Sequence, residues 1–141
     1  MKLSARNQFS GVVSHVTEGA VNGIVSIKLG DDTIKANITN EAIKELGLRE
    51  GTKALAVVKA TNVLFAAGSS KIEGISARNQ FVGTIVSLQE GAVNGHVILE
   101  TASGLRISGS ITNEAIEGLG LAEGKSAVAL VKSTDVIVAV D

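Results

Sequence analysis

Between Ile24 and Asn40 the chain alternates apolar and polar residues with a period of two. Val25, Ile27 and Leu29 are separated by Ser26 and Lys28, and Ile34, Ala36 and Ile38 by Lys35 and Asn37. Side chains of a strand point to opposite faces in turn, so this alternation predicts two strands with one buried face. Two further apolar stretches, Ala54 to Val58 and Val63 to Ala67, are bounded by Gly51 and Gly68 and are too short for helices; they also read as strands. The one helical signal is Asn40 to Leu46. Asn40 is placed to cap its start, Glu41 lies in its first turn and Gly47 is placed to stop it.

The same pattern occurs twice. SARNQF at Ser4 to Phe9 returns at Ser76 to Phe81, and EGAVNG at Glu18 to Gly23 returns at Glu90 to Gly95, both at an offset of 72. ITNEAI at Ile38 to Ile43 returns at Ile111 to Ile116 at an offset of 73, so one residue has been inserted between the blocks. The insertion falls where GDD at Gly30 to Asp32 faces ASG at Ala102 to Gly104, the tip of a predicted hairpin. Identity at 17 of 26 positions from Ile38 to Val63 identifies a tandem duplication. The order strand, strand, strand, short helix, strand, strand in each copy predicts a mainly β protein. It would form two tandem five-stranded Greek-key barrels of the OB type, each with one short helix. The expected division is a first domain over 1–68, a linker over 69–75 and a second domain over 76–141.

Composition narrows the chemistry. The chain has 141 residues, 45% hydrophobic and 19% charged, a globular balance. Thirteen Lys and Arg against fourteen Asp and Glu leave a net charge of −1, with no field to draw in a polyanion. With only three Phe, no Trp and no Tyr, a base-stacking surface is also missing, so nucleic acid is not an expected partner. The absence of Cys excludes disulfides, thiolate metal sites and cysteine nucleophiles. No apolar stretch suits a membrane span or a secretory signal, which makes the expected location cytoplasmic, away from membranes. Copies of about 70 residues without disulfides or metals are marginal alone, so association between copies and chains is expected.

No enzyme constellation emerges. His15 aligns with Ser87 and His96 with Ile24, so neither histidine is kept by both copies. Asp31 and Asp32 sit at a hairpin tip without a counterpart, which suits a turn. Gly118 to Ser126 resembles a phosphate loop, but the spacing from Gly118 to Gly124 misses the required pattern by one residue; a helix end followed by a turn explains it.

Duplication supplies its own filter, because a side chain used by both copies should persist at equivalent positions. Among basic residues only Arg6 with Arg78 and Lys59 with Lys132 persist. A structural salt bridge is one explanation, since Glu18, Glu41 and Glu50 also have matched glutamates. The neighbours favour another. Arg6 lies in Ser4-Ala5-Arg6-Asn7-Gln8, Lys59 precedes Ala60 and Thr61, Lys132 precedes Ser133 and Thr134, and Thr39 to Ala42 opens the helix. Hydroxyl, guanidinium, amide, ammonium and backbone N–H donors dominate all three segments. A donor-only site suits a fully deprotonated tetrahedral dianion, because a hydrogenphosphate proton would lack an acceptor. Residue chemistry alone therefore reaches a small oxyanion.

SARNQF, EGAVNG, ITNEAI with its following LGL, and VK-x-T-x-V, each present twice, closely resemble the molbindin family, the Mop/TOBE-type small molybdate-binding proteins, in its di-Mop form. The resemblance implies a non-enzymatic, cytoplasmic protein that binds molybdate, and tungstate with it, for oxyanion storage and homeostasis. It implies a homotrimer with anions held at interfaces between units, no organic cofactor, and no direct metal coordination by side chains. A molybdate-sensing module acting on a protein partner is the alternative role. Carried over by residue, the oxyanion set comprises Ser4, Ala5, Arg6, Lys59 and Ala60, with Thr39 and Ala42 from a neighbouring unit. Ser76, Ala77, Arg78, Lys132, Ser133, Thr112 and Ala115 form its second-copy counterpart. Ala60 against Ser133 costs the first set one hydroxyl. A second type of pocket is expected at the turns Gly19, Ala20, Val21, Asn22 and Gly91, Ala92, Val93, Asn94.

Overall fold

The computed structural model describes residues 1–141. The strands are β1 (Asn7–Glu18), β2 (Asn22–Leu29), β3 (Asp32–Thr39), β4 (Lys53–Val58), β5 (Leu64–Ala67), β6 (Asn79–Glu90), β7 (Asn94–Thr101), β8 (Arg106–Thr112), β9 (Ser126–Val131) and β10 (Ile137–Ala139). Helix α1 spans Asn40–Leu46 and α2 spans Asn113–Leu119, and 3₁₀ turns at Ala60–Asn62 and Ser133–Asp135 follow β4 and β9. Each copy thus has the strand, strand, strand, helix, strand, strand order that its periodicity predicts. The short 3₁₀ turns carry no periodic signal.

Two antiparallel five-stranded sheets result, ordered β10-β4-β1-β2-β3 and β5-β9-β6-β7-β8. The last strand of each copy is exchanged: β10 pairs with β4 through Ile137↔Val57 to Ala139↔Leu55, and β5 with β9 through Leu64↔Leu130 to Ala67↔Ala127. The compact units are accordingly Met1–Val58 with Lys132–Asp141, and Lys59–Val131. They differ from the repeat boundaries by the exchanged ends. The repeat marks where the gene was copied; the units mark where the backbone found hydrogen-bond partners, and a strand of three or four residues is too short to dictate which equivalent edge it joins.

In the first unit β1 is long enough to serve two neighbours, β4 along its first half and β2 along its second. A register shift between Val13 and His15 bends it at the changeover, where Val13 also exchanges backbone bonds with Thr52 and Gly51. A bulge of this kind raises local twist and turns a flat sheet toward closure. In the second unit the shift between Ile85 and Ser87 falls at the equivalent place in β6. The alternating residues behave as their pattern demands: Val25, Ile27, Ile34 and Ala36 are fully buried, as are Val97, Leu99 and Ile107.

The inserted residue lies in the β2–β3 connection. Gly30 and Asp31 join Leu29 to Asp32, whereas Ala102, Ser103 and Gly104 join Thr101 to Leu105, whose carbonyl accepts from the Thr101 N–H at 2.9 Å. Gly30 at φ 72° and Gly104 at φ 93° take the left-handed backbone such tight connections need.

One local expectation is corrected. The residue capping α1 is Thr39, not Asn40: the Thr39 Oγ1 accepts from the Ala42 N–H at 3.1 Å, and Thr112 caps α2 through Ala115 at the same distance. Asn40 is drawn away because its Nδ2 donates to the Gly19 carbonyl at 2.8 Å while its backbone N–H donates to that of Val21. Asn113 repeats the bond to Gly91 at 2.9 Å. Both asparagines therefore tie the β1–β2 and β6–β7 turns to their helices. Gly47 and Gly120 end the helices at φ 64° as expected.

Candidate oxyanion-binding site

Each donor segment is positioned by a distinct structural device. In the first unit Asn7↔Val58 is the terminal pair of the β1–β4 ladder, so Arg6 and Lys59 extend from the same ladder end. Asn79↔Val131 closes the β6–β9 ladder in the same way, with Arg78 and Lys132 next to it. Asn7 is buried, and its Nδ2 donates to the Val58 carbonyl at 3.1 Å. Asn7 is one of the amide donors that SARNQ offers by sequence, but its side chain is occupied inside the fold.

Ser4 and Ala5 precede the ladder. Gln8 donates from Nε2 to the carbonyls of Leu3 at 3.1 Å and Ala5 at 2.9 Å, which brackets Ser4. The equivalent Gln80 instead binds Ile72 in both directions, accepting its N–H at 2.7 Å and donating to its carbonyl at 3.0 Å. Ser76 and Ala77 thus reach Arg78 without that bracket. No periodicity argument could find this difference, because glutamine is present in both copies.

After β4 and β9 the chain makes its 3₁₀ turns. Lys59 and Lys132 cap them with extended backbone and no side-chain bond of their own. A 3₁₀ turn leaves its first N–H groups without internal partners, so Ala60 and Ser133 present backbone donors next to an ammonium group. In the first unit the Ser133–Asp135 turn packs on β3, the strand that ends in Thr39; in the second the Ala60–Asn62 turn packs on β8, which ends in Thr112.

By compact unit the candidates divide evenly. Ser4, Ala5, Arg6, Thr39, Ala42, Lys132 and Ser133 belong to the first; Ser76, Ala77, Arg78, Thr112, Ala115, Lys59 and Ala60 belong to the second. Each unit therefore contains one complete complement of segments, with its lysine turn drawn from the other copy. At the helix starts the Ala42 and Ala115 N–H groups are already bonded to threonine oxygens, so the available donor is the threonine hydroxyl proton itself. Thr39 and Thr112 are exposed and can accept from the helix while donating outward.

The electrostatics separate two explanations for the matched cations. The ion pairs of the chain are the N-terminal ammonium with Asp141 at 4.0 Å, His15 with Glu50 at 3.8 Å, and Arg106 with Glu100 at 2.8 Å. Arg6, Arg78, Lys59 and Lys132 are exposed and take part in none of these pairs, so no salt bridge within the chain explains their persistence. No group of three or more histidine or carboxylate side chains converges to hold a metal ion, and no helix is long and apolar enough to cross a membrane.

The turns expected to form a second pocket are short and exposed. Gly19 donates to the Asn22 carbonyl at 2.8 Å, as Gly91 does to Asn94, and Val21 and Val93 are 72% and 70% exposed. Ala20, Asn22, Ala92 and Asn94 are also exposed. A valine so placed in both copies is the notable feature of these turns.

Comparison with known proteins agrees with this architecture. The chain is 40% identical over 141 residues to the molybdenum transport protein ModE of Herbaspirillum seropedicae, a match covering 99% of this chain and 52% of that protein. It is 38% identical over 140 residues to the molybdenum-pterin-binding protein MopA of Rhodobacter capsulatus, again 99% of this chain and 52% of the relative. The chain thus spans about half the length of these relatives. A solved structure of the cytoplasmic molybdate-binding protein ModG with molybdate bound superposes with a TM-score of 0.94, at 44% identity and complete coverage of both chains. The TOBE domain is matched twice, by residues 3–65 and by residues 75–138, and the chain therefore belongs to the TOBE domain family.

Proposed function

We propose that this protein binds molybdate, and tungstate with it, as a cytoplasmic store that holds the oxyanion and releases it by mass action. The observation that carries the reading is the set of four persistent cations without carboxylate partners, located at two ladder ends beside hydroxyl and backbone N–H donors. One arginine and one lysine balance the charge of a dianion, which limits the cost of removing it from water. The full-length likeness to ModG, itself described as cytoplasmic and as binding molybdate, supports the ligand and the location. Binding and release need no nucleophile, general base or organic cofactor, and the reading assigns no catalysis to the chain.

Self-association belongs to the same reading. Large apolar side chains are exposed at three pairs of equivalent positions: Leu3 with Ile75, Val21 with Val93, and Leu64 with Ile137. A single exposed valine is ordinary, but exposure repeated in both copies suits a surface covered by another copy, and a homotrimer is the proposed assembly. Native mass spectrometry with and without molybdate tests both parts. The expected result is an oligomer that gains discrete anion masses; an unliganded chain at saturating molybdate would refute the binding role.

A further inference from the structure

The two lysine turns share one backbone and differ in the side chain that follows the lysine. Lys59 has φ −68° and ψ 138°, and Lys132 has φ −67° and ψ 137°. The closing residues agree as well, Val63 at φ −94° and ψ 126° against Val136 at φ −90° and ψ 121°. Matching dihedrals aim the next Cβ the same way in both turns. That Cβ belongs to Ala60 in the first and to Ser133 in the second, and both residues are half-buried. The Ser133 hydroxyl makes no hydrogen bond within its own chain.

We infer that the oxyanion capacity is split into two classes of unequal strength, the stronger one served by Lys132 with Ser133 and the weaker by Lys59 with Ala60. This inference rests on the molybdate-binding reading above. A hydroxyl donating to an anionic oxygen outranks a neutral hydrogen bond, and where it is missing the oxygen falls back on water; a separation of about tenfold is expected.

Asp135 works in the opposite direction, because the first turn has Asn62 at that position. At three residues per turn, however, positions two apart in a 3₁₀ turn point about 120° away from each other. Solvent ions also screen a carboxylate over about 8 Å, whereas the hydroxyl acts by direct contact. The hydroxyl therefore sets the order. Two classes widen the concentration range over which the protein buffers free oxyanion, the weaker class exchanging while the stronger stays filled.

Calorimetric titration of the intact protein with sodium molybdate tests the split. The unmodified protein should show two classes about tenfold apart. Ala60→Ser should bring the weaker class up to the stronger, Ser133→Ala should bring the stronger down, and Asp135→Asn should leave two classes. Thermal melts of the variants without ligand should match the parent. A single class in the unmodified protein, a gap unmoved by both Ala60→Ser and Ser133→Ala, or a gap closed by Asp135→Asn would overturn the inference while leaving molybdate binding intact. Absence of any heat of binding, with no anion masses in the native spectrum, would instead strike at the functional reading itself.

Discussion

Asn7 donates from Nδ2 to the Val58 carbonyl across the terminal rung of the β1–β4 ladder at 3.1 Å. The bond fixes the strand ends from which Arg6 and Lys59 emerge, so a buried amide that never meets solvent holds two exposed cations in place. Asn7→Ala removes this buried hydrogen bond to the Val58 carbonyl. Its stability should fall by about 1–3 kcal/mol, and oxyanion affinity should fall with it. Urea denaturation together with molybdate titration checks both; affinity unchanged beside lost stability would separate the amide from the site.

Lys59→Gln combined with Lys132→Gln removes one cation from each complement without burying anything new, since both side chains are exposed. Binding should weaken by at least tenfold while the urea midpoint stays where it was. A titration identical to the parent would take the lysines out of the site.

Thr39 and Thr112 each cap a helix, and their exposed hydroxyls are positioned to donate outward under the proposed binding role. Thr39→Ala should cost about 1 kcal/mol through the lost cap and weaken oxyanion binding as well. Thr39→Ser keeps both functions and should restore them. If Thr39→Ala melts earlier yet binds normally, the threonine is a cap alone.

Gly23 and Gly118 should respond to alanine in opposite ways. A Cβ at Gly23 would lie 2.6 Å from the Ile43 Cδ1 and 2.8 Å from the Thr17 carbonyl oxygen, which cannot retreat without opening the sheet. Gly23→Ala should destabilise the fold by more than about 1 kcal/mol through overpacking. Gly118 lies inside α2 with open space around it and no left-handed backbone, and Gly118→Ala should stabilise by about 0.5–1 kcal/mol. Thermal melts of the two variants should move in opposite directions.

Competition among anions tests the donor-only character of the site. Tungstate and sulfate should displace molybdate more readily than phosphate does at neutral pH, because hydrogenphosphate retains a proton that finds no acceptor. Equal displacement by phosphate would contradict a site made of donors alone.

The amino-acid sequence determined the duplication, the order of strands and helix, and the four cations worth following. Each rests on local regularity: period-two alternation, a glycine stop, and residues kept at equivalent positions. It also placed Arg6 and Lys59 in one candidate set; Lys59 follows β4 at the ladder end that Arg6 precedes, but its turn belongs to the second compact unit. Asn40 has the residue type of a cap but does not act as one, because its competing partner, the Gly19 carbonyl, is far away along the chain and invisible to local pattern. Tertiary structure alone decided that β5 and β10 change places, that Gln8 brackets Ser4 while Gln80 holds Ile72, and that none of the matched cations meets a carboxylate. These outcomes depend on which of two nearly equivalent edges, amides or charges comes within reach. A duplicated sequence offers the same residues twice, and only distance in the folded chain can choose between them.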